Sequence, residues 1–554
     1  MATLHVENPV IKGFNPDPSV IRVGHDDYYL ATSTFQWFPG VQIFHSKDLV
    51  NWTLIAHPLD EKRLLDMKGD ADGGGVWAPC LSYKDGIFYL VYSDMKTDES
   101  SAWKDCHNYV IYAHDILGPW SDPIYLNSSG FDPSIFHDDD GKTYILNVVR
   151  DHRINHHWSL GIFMQELSLT ERKLIGTPQC IYKGSILGKT EGPNLYKVGK
   201  YYYLFCAAGG TEYGHSEVVA RSENLFGPYE EHPNENGVLI TAFGAPSQRL
   251  QKMGHTSLIK AHNDKWYITH LTSRPFEVGK LPLFDLAQNG HCPLGRETAL
   301  QEIYWEHDWP YVVGGIHGRE SFEIEGIEAG ATDTTWPVRL SFNEDIFVGD
   351  KPSKLNINLQ SMRIPLDKSL ISTTDRPGFL RLYGHESLAS PHTVALVARR
   401  WQSLNFDAQT ALEFRPHSFQ QAAGLVCMYD RFNFTFIFIS HDENKGRCID
   451  MFCRKNKNFY APLAEVLPID DAIASVSFKV EVRGDKYQYL YSPDGDKTFT
   501  PIGPKFSSLE LSDDFIQRTI GRGYFTGAFV GLACMDMQGE HLAADFAYFE
   551  YKEH

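Results

Sequence analysis

Positive charge is in short supply in this chain. Its 554 residues carry 51 Lys and Arg against 70 Asp and Glu, a formal net charge of −19. A nucleic-acid binder needs a basic face, so that class of partner is not expected. There is also no apolar run of the roughly 18 residues that a membrane span requires, and no membrane partner is expected. The start, Met1-Ala-Thr-Leu-His-Val-Glu-Asn-Pro, has neither a charged n-region nor a hydrophobic h-region, so no signal peptide is expected. The nine cysteines contain no CxxC pair. Such an odd, scattered set reads as reduced thiols in a cytoplasmic protein, without a structural zinc site.

What the chain does have is aromatics (13%), with 45 Gly and 29 Pro, a mixture suited to many short strands and tight turns. An internal repeat organises the first three hundred residues. Asp17-Pro-Ser-Val-Ile precedes Tyr28-Tyr29-Leu30, and Trp77-Ala-Pro-Cys-Leu precedes Phe88-Tyr89-Leu90. Asp132-Pro-Ser-Ile-Phe precedes Thr143-Tyr144-Ile145, Glu191-Gly-Pro-Asn-Leu precedes Tyr202-Tyr203-Leu204, and His255-Thr-Ser-Leu-Ile precedes Trp266-Tyr267-Ile268. In each, a Tyr follows 12 positions after the first residue named, across a turn rich in Gly, Asp, Asn or Lys. Each unit reads as a β-hairpin. A second motif recurs as Ser46–Trp52, His114–Trp120 and Ser222–Tyr229 and reads as outer-strand turns. Five such units predict a five-bladed β-propeller.

In a propeller the innermost strands line the axis, so equivalent positions form a ring. That register places Asp17, Trp77, Asp132, Glu191 and His255 around a common pocket. Three carboxylates brought together are costly in a core. Held together, they take different protonation states and supply an acid and a base at one pH. Glycoside hydrolysis needs that pair: one carboxylic acid protonates the leaving oxygen, and one carboxylate activates water or attacks the sugar. The residues alone do not say which carboxylate is which. Acidic clusters also bind metal. His137-Asp-Asp-Asp-Gly141 lacks the spacing of a calcium loop and reads as a hairpin tip. No cofactor is required by this chemistry, with a divalent cation such as calcium near His255 as the alternative use of the ring.

These residues resemble a known family. Asn15-Pro-Asp17-Pro-Ser, Val76-Trp77-Ala-Pro, Phe131-Asp132-Pro-Ser, Thr190-Glu191-Gly-Pro-Asn and Leu294-Gly-Arg296-Glu look like glycoside hydrolase family 43, specifically its β-xylosidases. The resemblance implies an inverting, exo-acting hydrolase with Asp17 as general base and Glu191 as general acid. Asp132 would tune and orient Glu191. Arg296 would bond the terminal sugar and balance the carboxylates. Trp77 and Phe35 would be apolar walls, with Thr211 and His255 as further pocket residues. Related enzymes imply a homo-oligomer, dimer or tetramer.

Beyond Trp309-Pro310 the hairpin register stops. The expected organisation is a propeller over 1–315, a linker over 316–335 and a β-sandwich over 336–554. Leu355–Leu359, Phe434–Phe438, Phe478–Val482 and Tyr487–Tyr491 read as strands, and Ser492-Pro-Asp-Gly-Asp as a hairpin turn. The sandwich resembles the concanavalin-like domain of the same enzymes, and by that likeness Phe525 would reach toward the substrate. The expected activity is release of xylose from the non-reducing ends of xylo-oligosaccharides. An α-L-arabinofuranosidase or dual-activity enzyme is the alternative within the class, and a non-catalytic carbohydrate-binding propeller is the alternative outside it.

Overall fold

Five antiparallel sheets follow one another in the N-terminal part of the computed structural model, which describes residues 2–97, 102–276, 290–521 and 523–554. The first runs outward from the axis through Ser19–Val23, Asp27–Thr32, Gln42–Ser46 and Thr53–Ala56. The second starts at Gly75–Lys84, the third at Gly130–His137, the fourth at Glu191–Val198 and the fifth at Gln251–Lys260. These five opening strands neighbour one another in turn, and the fifth returns to the first, which closes a five-bladed propeller. The repeated hairpins fall where the sequence places them, and the three outer motifs join the third to the fourth strand in their blades.

Apolar side chains fill the spaces between blades, because each sheet buries both faces against its neighbours. Tyr89, Val91, Val110, Ile135 and Ile145 form one such layer between the second and third blades. Tyr203, Phe205, Val219, Leu258 and Ile268 form another between the fourth and fifth. The segment read from sequence as a linker, 316–335, contains a strand. Ser321–Glu325 pairs antiparallel with Thr3–Glu7. The reason is its alternation: Phe322 and Ile324 are buried while Ser321, Glu323 and Glu325 face water.

Two units divide the chain: Met1–Gln36, Gly40–Gly290 and Arg296–Asp333 make up the propeller unit, and Trp37–Pro39, His291–Gly295 and Thr334–His554 the other. The second unit is a sandwich of a nine-stranded and a seven-stranded sheet. Alternating Val476, Phe478, Val480 and Val482 join Ala423, Leu425, Cys427 and Tyr429 in its core. Leu355–Leu359 is not a strand. The Asn356 side chain accepts from Asn358 N–H at 3.0 Å, and Leu359 N–H donates to the Asn356 carbonyl at 2.9 Å, so the segment turns. The α-helix Asp513–Ile520 starts at Ser512, whose hydroxyl accepts from Phe515 N–H, and ends at Gly521 with φ 80°. Among the described residues no helix is long and apolar enough to cross a membrane.

Candidate active site

At one equivalent position in or just before the opening strand, every blade has a residue in the left-handed region. These are Asp17 (φ 56°), Ala78 (φ 34°), Asp132 (φ 54°), Gly192 (φ 56°) and His255 (φ 53°). The strand ladder is interrupted at four of them, in the bulges Trp77/Cys80, Phe131/Ser134, Glu191/Asn194 and Gly254/Ser257. The five residues line a small cavity on the axis.

This layer corrects the ring expected from sequence. Asp17, Asp132 and His255 belong to it, but Ala78 and Gly192 take the places expected for Trp77 and Glu191, which precede them by one residue. The reason lies in the turns. The hairpin tyrosines pair with Ile21, Ser82, Phe136, Tyr196 and Ile259, each four residues after the left-handed position. In the second and fourth blades the turn is one of two residues, Asp85-Gly86 and Gly199-Lys200, and the hairpin is one residue shorter. Counting back a fixed distance from the tyrosine therefore overshoots there.

Asp17 is held by two side chains. It is buried, with 5% of its surface exposed. The Ser33 hydroxyl donates to Oδ2 at 2.6 Å, and Arg296 Nη1 donates to Oδ1 at 3.2 Å. His255 Nδ1 stands 3.7 Å from Oδ1. Burial works to raise the Asp17 pKa, but Arg296, His255, the Ser33 hydroxyl and His215 outweigh it and leave the group below its ordinary value. Asp17 is thus an anion at neutral pH. The segment carrying it docks on the fifth blade: Asn15 N–H donates to the Arg296 carbonyl at 2.9 Å, and the Thr298 hydroxyl to the Asn15 carbonyl at 2.7 Å.

Asp132 occupies the same layer with its pKa shifted the other way. Burial, Glu191 and Asp17 together push its pKa well above the usual carboxylate range. Its Oδ2 accepts the Gly192 N–H at 3.0 Å, so it grips the backbone next to Glu191. Gly192 is required there. A Cβ at that position would lie 2.9 Å from Cε1 of the His255 ring, in a backbone conformation that other residues adopt only with strain. Glu191 is half-buried.

Arg296, Thr211, Phe35 and Trp77 form one run of contacts. Arg296 Nη1 donates to the Thr211 hydroxyl at 2.9 Å, and its guanidinium lies 5.4 Å from the Phe35 ring centroid. Phe35 and Trp77 adjoin with centroids 5.8 Å apart, and Trp77 Nε1 donates to the Gly73 carbonyl at 2.8 Å. Phe131 extends that wall, 5.6 Å from Trp77, and Trp158 stacks beyond it at 6.3 Å. Phe525 lies in the sandwich unit, half-buried, with φ 59°.

Three supporting residues escape the sequence reading. Ser33 bridges Asp17 to the Ala78 N–H, which donates to its hydroxyl at 2.8 Å. Its signal was present: the pairing of Ser19 with Ala31, continued two residues along each strand, sets Ser33 opposite Asp17. His215 is buried against Gly254, and desolvation takes its pKa down to about 3. Glu297 forms a doubly bonded ion pair with Arg274, at 2.6 and 2.7 Å, beside Arg296. Nothing local in the sequence marks His215, and Glu297 is given no role beyond its place in Leu294-Gly-Arg296-Glu.

A metal near His255 was the alternative use of this ring. Among the described residues no three His, Cys, Asp or Glu side chains gather to hold an ion. His137–Gly141 is the hairpin tip expected of it, with Asp138 N–H donating to the Lys142 carbonyl at 2.9 Å.

The architecture and the site have known counterparts. Residues 350–552 match the beta xylosidase C-terminal concanavalin A-like domain. The chain is 50% identical to a beta-xylosidase of Bacillus subtilis, over 99% of this chain and 100% of that one. It is 41% identical to a xylosidase/arabinosidase of Humicola insolens, over 99% and 97%. The crystal structure of a xylan beta-1,4-xylosidase from Bacillus halodurans superposes with a TM-score of 0.92 at 43% identity, covering 99% of this chain and 100% of that one. Residues 6–310 match glycosyl hydrolases family 43 across the propeller that carries Asp17, Asp132, Glu191 and Arg296, and the chain belongs to that family.

Proposed function

We propose that this chain is an inverting β-1,4-xylosidase that releases xylose from the non-reducing ends of xylo-oligosaccharides. The observation that carries the reading is the split between two carboxyls of one layer. Asp17 is held ionised by Arg296, His255 and Ser33, while burial and the neighbouring Glu191 and Asp17 raise the proton affinity of Asp132. A base and a proton donor are what acid–base cleavage of a glycosidic bond requires.

Asp17 is the general base. It takes a proton from water as the water oxygen bonds to the anomeric carbon from the face opposite the leaving group. Glu191 is the general acid. It gives its proton to the glycosidic oxygen as the carbon–oxygen bond breaks, so the departing sugar leaves as a neutral alcohol. Asp132 is a positioning residue: through the Gly192 N–H it fixes the backbone of Glu191. Arg296 supports the Asp17 anion, and by the family likeness it bonds the terminal sugar. Phe35 and Trp77 offer the apolar face that a pyranose ring packs against.

The choice of sugar is supported by the likeness to the Bacillus enzymes, both named for xylosidase activity. The Humicola relative, named for both xylosidase and arabinosidase activity, favours a second reading in which this chain also cleaves α-L-arabinofuranosides. A cytoplasmic location is supported by the nine thiols, eight of them buried and none in a disulfide. Phe525 is assigned to substrate contact only on the likeness stated above. Assays with an aryl β-D-xyloside and an aryl α-L-arabinofuranoside, on wild type, Asp17→Ala and Glu191→Gln, test the reading. Xyloside cleavage lost in both variants supports it, and cleavage indifferent to both contradicts it.

A further inference from the structure

The fifth blade departs from the other four in one respect. After the left-handed residue the first four blades have proline: Pro18, Pro79, Pro133 and Pro193. Proline has no N–H to satisfy. The fifth blade has Thr256, fully buried, whose N–H would be an orphan there. Glu217, from the third strand of the fourth blade, meets it. Its Oε2 accepts the Thr256 N–H at 3.0 Å, across 39 residues of chain.

Glu217 is itself fully buried and has no lysine or arginine partner among the described residues. Burial drives its pKa up to about 8, against the opposing pull of the Thr256 amide and hydroxyl and the His255 amide. A buried carboxyl with no counter-charge is a costly way to fill a core. From the fourth blade it meets the fifth beside His255, the imidazole that stands 3.7 Å from Asp17 and packs against Gly192.

We propose that Glu217 is a positioning residue for the hydrolytic reaction: by holding the His255–Thr256 backbone it sets the His255 ring against Asp17. This rests on Asp17 being the general base. The backbone at His255 is in a conformation that persists only where its surroundings over-determine it, and Glu217 supplies the fixed point that proline supplies elsewhere.

The test compares full-length wild type, Glu217→Ala, Glu217→Gln, Thr256→Pro and the double variant Glu217→Ala/Thr256→Pro on an aryl β-D-xyloside. It reads kcat, KM and the acid limb of kcat/KM, with thermal unfolding alongside. The charged and titratable groups facing Asp17 are Arg296, His255, His215 and Asp132, and all stay unchanged. Glu217→Ala should lose about ten- to a hundredfold in kcat with KM little changed, and its acid limb should move. Glu217→Gln, whose amide oxygen can accept the same N–H, should recover most of that loss. Thr256→Pro removes the N–H, so adding it to Glu217→Ala should restore kcat toward that of Thr256→Pro alone. A folded Glu217→Ala with wild-type kcat and acid limb would overturn the proposal. So would Glu217→Gln as impaired as Glu217→Ala. If Glu217→Ala does not fold, Glu217→Gln and the double variant decide in the same way. Loss of cleavage in Asp17→Ala tests the underlying reading separately, so a silent Glu217 overturns this proposal alone.

Discussion

The Ser33 hydroxyl stands between Asp17 and Ala78, donating to the Asp17 carboxylate at 2.6 Å and accepting the Ala78 N–H at 2.8 Å. One hydroxyl thereby ties the proposed base of the first blade to the left-handed turn of the second. Ser33→Ala removes a hydrogen bond to a charged group, an effect of about 1.5–3 kcal/mol. It should lower kcat/KM about ten- to a hundredfold and move the acid limb of activity to higher pH. Steady-state kinetics across pH checks both. An unchanged acid limb would mean that Ser33 does not act on Asp17.

The two carboxyl states fix the shape of the pH profile. Asp17 has a lowered pKa, so activity is lost only when the pH falls below the ordinary carboxylate range. Burial and the Glu191 charge push the Asp132 pKa up, so the two neighbouring carboxyls should titrate in coupled steps, with the alkaline limb above the ordinary carboxylate range. The profile of kcat/KM is expected to be a bell. Glu191→Gln should abolish the alkaline limb along with most of the rate, and Asp17→Ala should cost about 100- to 10,000-fold while still binding xylose. Titration calorimetry with xylose separates lost binding from lost chemistry.

Gly192→Ala tests the close approach of two blades. The new Cβ would meet the His255 ring at 2.9–3.0 Å in a left-handed conformation. The variant should lose about 1–3 kcal/mol of stability, and its activity should fall, because the same glycine presents its N–H to Asp132. Wild-type activity with a lowered melting temperature would separate the packing role from the catalytic one.

Two buried carboxyls make stability depend on pH in the opposite sense to Asp17. Burial pushes Glu217 up to about 8, and burial with Asp94 beside it pushes Asp70 up to about 7. Unfolded, such groups ionise near pH 4. The folded state therefore binds more protons than the unfolded state in between, and stability falls as pH rises through that window. Glu217→Gln carries no such proton. Its melting temperature relative to wild type should rise between about pH 5 and about pH 8.5. A constant difference across that range would show that Glu217 ionises normally in the folded protein.

The architecture was largely legible because it rests on local pattern. The hairpin tyrosines at positions 29, 89, 144, 203 and 267 recur on paired strands, and turn residues punctuate them. The bulge register was not legible by counting, since a turn of two residues at Asp85-Gly86 shifts Trp77 out of the position that Asp17 holds. Leu355–Leu359 has the alternation of a strand, but its asparagines form a turn instead. Ser33 was recoverable from strand pairing. Glu217 and His215 were not, because each acts on a residue of the next blade, and periodicity along one strand carries no record of that neighbour.

The central claim, that Asp17 and Glu191 carry out single-displacement hydrolysis of a β-xyloside, is tested most directly by the anomer first released. Proton NMR of aryl β-D-xyloside cleavage should show α-xylose appearing first and β-xylose accumulating only by mutarotation. Initial release of β-xylose, or no cleavage by an enzyme shown to be folded, would contradict the account.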